Sequence, residues 1–110
     1  MSDRELVRMR NAVRGKENRS NGEAFEFRVL RKEKRNSLNV IRSAGSHSLV
    51  DIVSWKSNGE IWLISCRKGG VWTNRELSEL RTFRSKLDKC NVVKLAQYVS
   101  KKKWTLTTLK

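Results

Sequence analysis

Glu26, Asp51 and the run Ile64-Ser65-Cys66-Arg67-Lys68 are the residues of this chain whose types and spacing point to chemistry. Hydrolysing a phosphodiester takes a divalent cation, an activated water, and carboxylates that hold the metal without filling its coordination shell. Asp51 is one candidate ligand and Glu26 a second. Side chains alternate along a strand, so Ser65 and Arg67 share a face with Ile61 and Leu63. A carboxylate at 65 and a lysine at 67 would complete such a site. Serine offers a neutral oxygen at best, and a guanidinium stays protonated and cannot act as a base. Arg67 can still clamp a phosphate. Among neighbours, Glu60 falls on the wrong face, and so does Lys68 unless the strand bulges. Glu23, one helical turn before Glu26, is the replacement carboxylate within reach.

The elements that must position these groups follow from periodicity. Ser2-Asp3-Arg4-Glu5 reads as a capping box opening a short helix to about Val13, with a polar loop over residues 15–21. A second helix is predicted from Gly22 to Arg35. Its apolar face carries Phe25, Val29, Leu30 and Phe27, with Glu26 near the middle and Arg28, Arg31 and Arg35 opposite. A carboxylate on such a face is costly unless paired, hydrogen-bonded or metal-bound. Leu38–Arg42 and Leu49–Trp55 read as strands. Ser57-Asn58-Gly59 is a hairpin turn. Glu60–Cys66 is apolar on both faces, as a central strand would be. Thr73-Asn74-Arg75-Glu76 is another capping box, opening a helix to about Asp88 with Leu77, Leu80, Phe83 and Leu87 inward. Asn91–Val99 and Trp104–Leu109 close the fold around the turn Lys101-Lys102-Lys103. This order predicts an α/β layered fold with a central mixed β-sheet flanked by helices. Residues 1–21 form a basic N-terminal extension and residues 22–110 the domain.

The balance of 25 Lys and Arg against 11 Asp and Glu gives a net charge of +14, with the cations dispersed over the whole chain. Such charge repels itself unless a polyanion offsets it, and nucleic acid is the partner that fits. A membrane partner is not expected, because the cations form no single juxtamembrane run and no stretch is long and apolar enough to span a bilayer. The start of the chain lacks the apolar core of a signal peptide, so a cytoplasmic location is expected. Cys66 and Cys90 form no CxxC pair and read as buried thiols; a zinc site is not expected. The tryptophans Trp55, Trp62, Trp72 and Trp104 read as core or dimer-contact residues, with base stacking the lesser reading. His47 reads as a solvated loop residue.

The stretch from Gly22 to Arg67 resembles the archaeal Holliday-junction resolvases, a branch of the nuclease superfamily with an Asp…Glu-x-Lys signature. Gly22-Glu23-Ala24-Phe25-Glu26 looks like that family's Gly-x-x-x-Glu, Arg42-Ser43-Ala44-Gly45-Ser46 is similar to its Arg-Ser-Ala-Gly-Ser, and Val50-Asp51-Ile52-Val53 to its Val-Asp-Leu-Val. The resemblance covers about residues 22–109. It implies a restriction-endonuclease-like core and a homodimer that grips a four-way DNA junction on a basic face and cuts with Mg2+. Carried onto this chain, the site is Glu26, Asp51, Ser65, Arg67 and Ser46. Asp51 and Glu26 are the metal ligands, with Glu23 in reserve. Arg42, Arg67, Lys68, Arg10, Arg14, Lys16 and Arg75 are the cations set toward nucleic acid. Ser65 and Arg67 depart from the pattern at the glutamate and lysine positions. The expectation is therefore a binder of branched or duplex DNA, of resolvase type, whose cleavage is impaired or lost. Two alternatives stay open: an active Mg2+-dependent junction endonuclease, and an RNA- or ribosome-associated basic protein on the same fold. The plainer readings stand beside these. Glu26 paired with an arginine, Asp51 satisfied by backbone amides at a strand end, and Arg42 as a surface charge would each explain the residue without a site.

Overall fold

The computed structural model describes residues 22–43 and 48–110. The first capping box, Arg10, Arg14, Lys16, Ser46 and His47 lie outside the described residues. Helix α1 covers residues 22–36. Strands β1 (Asn39–Arg42), β2 (Ile52–Trp55) and β3 (Ile61–Arg67) follow, then helix α2 (Asn74–Ser85) and strands β4 (Asn91–Ser100) and β5 (Lys103–Thr108). The strands form one sheet in the order β1-β2-β3-β4-β5. Among the described residues, β3 and β4 run parallel and the other neighbours are antiparallel. The chain is thus an α/β protein with a mixed five-stranded sheet. The parallel pair follows from connectivity, since the chain leaves β3, crosses through α2 and returns as β4. Among the described residues, no helix is long and apolar enough to cross a membrane.

The helices cover opposite faces of the sheet. Alternation along the strands sorts the core into two clusters. Phe25, Val29 and Leu30 of α1 bury against Val40, Ile52, Ile64 and Ala96. Leu80 of α2 buries against Val50, Leu63, Val93 and Leu109, with Leu77, Phe83 and Leu87 packed around it. Strand β3 feeds both layers, which is why its run Trp62-Leu63-Ile64 has no polar face. Phe27 departs from the expectation of an inward residue. It sits two residues, or 200° of helical rotation, from Phe25, so it points outward, 40% exposed, under the Arg42 guanidinium at 4.6 Å.

Local signals fix the connections. The β2–β3 turn closes with Lys56 N–H donating to Glu60 O (2.9 Å), and Asn58 Oδ1 accepts from Glu60 N–H (2.9 Å). Gly59 takes φ of +92°, which a side chain would resist. At the start of α2, Thr73 Oγ1 accepts from Glu76 N–H (3.1 Å) and Glu76 Oε1 accepts from Thr73 N–H (3.0 Å). This is the reciprocal box that the sequence predicts. Thr73→Ala is expected to lower stability by about 1 kcal/mol, measurable by urea denaturation with unchanged m-value. Cys90, expected to be buried, is exposed in the turn before β4, while Cys66 is half-buried.

The α1 layer also holds a polar cluster that the sequence does not announce. Glu33, 2% exposed, faces the sheet beside Ser54, which is fully buried. Its Oε2 accepts from Ser54 Oγ (3.0 Å) and Ser37 Oγ (3.2 Å) and pairs with the Lys56 ammonium. Lys56 also donates to Ser37 Oγ (3.0 Å) and lies 3.9 Å from the Trp62 ring centroid. Glu33 stands four residues after Val29 on the inward face, so its burial follows from helical spacing. Its partners, brought in from β2 and the following turn, do not.

Candidate functional site

Asp51 occupies the point where β2 takes up its pairing with β3. Its N–H donates to Ile64 O (2.8 Å), and the first paired residues after it are Ile52 and Ile64. Its carboxylate Oδ2 then accepts from Cys66 N–H (2.7 Å), replacing a backbone acceptor where the ladder stops. The side chain is therefore fixed by a backbone bond at the open end of the central strand. This is the plainer strand-end role, and it also aims the carboxylate at a site.

Beside it, a cleft of about 250 Å³ is lined by Asp51, Ser65, Arg67, Trp72, Glu76 and Glu79 among others. Ser65 and Arg67 are on the α2 side of β3, as alternation requires. The Ser65 hydroxyl, almost fully buried, accepts from Trp72 Nε1 (3.2 Å). Arg67 pairs with Glu76 Oε2. Glu76 thus divides its oxygens between the cap of α2 and the cation of the cleft. The sequence presents it only as a capping residue. The signal for its second role is the short link between β3 and α2, six residues, too few to carry it away.

Glu26 approaches from the α1 layer. Arg42 Nε donates to its Oε2 (2.9 Å), and Arg42 also lies 3.7 Å from Glu23 Oε1. Glu26 is close enough to Asp51 to influence its ionisation. Asp51 is held up at about 6 against an ordinary 3.8, first because burial penalises its charge. The Cys66 N–H bond opposes the rise, the negative Glu26 adds to it, and Arg42 opposes it. Burial, then the same two carboxylates, push the Cys66 thiol up and favour its protonated form.

The folded state holds the Asp51 proton more tightly than the unfolded chain does, so its contribution is present below pH 3.8 and is lost as pH rises through about 6. Asp51→Asn keeps an acceptor for Cys66 N–H and removes the buried charge. It is expected to raise stability at pH 8 by about 1–2 kcal/mol, after allowance for solvent screening at a partly exposed group. The gain should vanish near pH 3.5; thermal melts of both proteins across that range would measure it, and a pH-independent difference would contradict it.

The structure thus brings Glu26, Asp51, Ser65, Arg67 and Arg42 to one end of the sheet, with Glu23 reached only through Arg42. Lys68 is on the other face of β3, 5.0 Å from the Tyr98 ring centroid. Arg75 lies outside the cleft, on the exposed start of α2, paired with Glu79 at 3.4 Å. Its role toward nucleic acid would have to be separate from the cleft. The oxygens that could take Mg2+ are already engaged. That cation needs one or two carboxylates and keeps several waters. Here Glu26 is held by Arg42, one Asp51 oxygen by a backbone amide, and the hydroxyl of Ser65 by Trp72. No protein-family model, no curated protein and no solved structure matches the chain.

Proposed function

We propose that this chain binds branched or duplex DNA through its phosphates, as a homodimer of resolvase type on a restriction-endonuclease-like core, with cleavage impaired or lost. The observation that carries the reading is the meeting of Glu26 and Asp51 beside Ser65 and Arg67, with guanidinium groups from Arg42 and Arg67 paired to the local carboxylates. A cleavage site concentrates uncompensated negative charge for a metal. Here Glu26 is paired with Arg42 and Glu76 with Arg67, and arginine exchanges a carboxylate for a phosphate at little geometric cost because both accept its fork. The net charge of +14 supplies the long-range attraction.

The test is binding to a four-way junction, a linear duplex of the same composition and a structured RNA, each over a range of salt. The expected order is junction, then duplex, then RNA, with log K falling linearly in log salt. Equal or tighter binding of RNA would favour the RNA-associated reading instead.

A further inference from the structure

The outer face of α1 carries a second cationic surface that shares no residue with the Asp51 cleft. Arg28, Arg31, Lys32 and Arg35 recur at the spacing that puts side chains on one face of a helix. With Asn36 and Trp104 of β5 they line a concavity of about 530 Å³. Among the described residues, none of these four cations takes part in an ion pair, whereas Arg42, Arg67 and Lys56 all do. Leaving four cations together uncompensated is unfavourable for the folded chain alone.

The lining says which anion fits. Trp104 is held edge-on by Phe25 at 6.0 Å between centroids and is covered by Lys32, whose Nζ lies 4.6 Å from the ring centroid. Its ring is therefore engaged and not presented for stacking a base. Asn36 donates to Lys32 O (3.0 Å), which fastens the end of the helix. Three arginines favour phosphate, which accepts their planar fork in pairs of hydrogen bonds. From position 28 to 35 the helix rises about 10 Å, roughly three nucleotide steps of one strand. A membrane surface fits less well: the large exposed apolar residues, Phe27, Leu38, Ile41, Leu49, Val71 and Val99, are none of them in this lining, so nothing there inserts among acyl chains.

We propose that this face of α1 is a second nucleic-acid backbone track that contacts phosphates without reading sequence. The inference rests on the nucleic-acid reading above and adds a surface to it. It holds one arm of a bound duplex while the Asp51 cleft engages another part of the same molecule.

The test compares the unmodified chain, Arg31→Gln/Arg35→Gln and Arg67→Gln by fluorescence anisotropy on a mixed-sequence four-way junction and its linear duplex, from about 50 to 300 mM salt. Vesicles of phosphatidylserine and phosphatidylcholine form a parallel arm. Both α1 positions are exposed, and a thermal melt checks that the variant stays folded. The α1 double variant is expected to bind about tenfold more weakly at 0.1 M salt, with the salt slope reduced by about 2, one unit for each phosphate no longer neutralised. The weakening should be the same on scrambled sequences. An unchanged slope in the α1 variant, with a reduced slope in Arg67→Gln, overturns the track and leaves the proposed function standing. A variant that loses vesicle binding but not DNA binding likewise overturns it in favour of a lipid surface. No salt-dependent binding by the unmodified chain overturns both.

Discussion

Replacing Glu33 with alanine is expected to lower the stability of the fold by about 3–5 kcal/mol, the cost of stranding a buried charge. Glu33 is 2% exposed, and the Lys56 side chain opposite it is 10% exposed. Removing the carboxylate leaves the ammonium desolvated, with Ser37 and the Trp62 ring as its remaining contacts. It also leaves the Ser54 hydroxyl, fully buried, with Ser37 alone. A domain of this size has about 5–15 kcal/mol in total, so the melting temperature should fall by well over 10 °C. Lys56→Met should cost less, because the Glu33 carboxylate keeps the hydroxyls of Ser37 and Ser54 as donors. The double variant should recover part of the Glu33→Ala loss. Urea denaturation of the three variants measures this, and a loss under about 1 kcal/mol in Glu33→Ala would show that the cluster is more solvated than its burial indicates.

The second large effect is a gain. On the proposed reading of a binder whose cleavage is impaired or lost, Ser65→Glu with Arg67→Lys is expected to give a chain that nicks four-way DNA when Mg2+ or Mn2+ is added. Glutamate at 65 would add a third carboxylate beside Asp51 and Glu26. Lysine at 67 would replace a guanidinium that pairs with Glu76 Oε2 with a compact ammonium able to hold a water. Neither substitution alone should suffice, since one supplies the ligand and the other frees the space. Ser65 is 8% exposed and accepts from Trp72, so the longer side chain must reach the cleft. Gel analysis of a labelled junction over time gives the readout. A double variant that binds metal, shown by calorimetry, and never cuts would mean the defect extends beyond these two positions.

Much of the architecture is readable in the sequence because it depends on local patterns. The Thr73–Glu76 capping box is a property of four residues. The apolar run of β3 could only belong in the middle of a sheet. Alternation places Ser65 and Arg67 on one face without any tertiary knowledge. What stays hidden depends on residues far apart in the chain. Glu33 finds Ser54 and Lys56 only after β2 has paired, and the apolar pattern of α1 gives no hint of a buried ion pair. Phe27 reads as inward only if the apolar face of α1 is taken to be broader than a helix allows. The apolar pattern of β2 begins at Leu49, but regular pairing begins at Ile52 because the Asp51 side chain takes the place of a backbone acceptor. At the site, the sequence offers an arginine partner for Glu26 as its plainer reading but does not say which arginine. Glu26 and Glu76 lie beside arginines that no spacing rule assigns to them.

The most direct test of a binding role without cleavage is incubation of the unmodified chain with a labelled four-way junction, with and without Mg2+ or Mn2+, reading binding and strand scission on the same sample. The prediction is a salt-sensitive complex that forms without added metal and leaves the strands intact. Metal-stimulated scission that Asp51→Ala abolishes would contradict it.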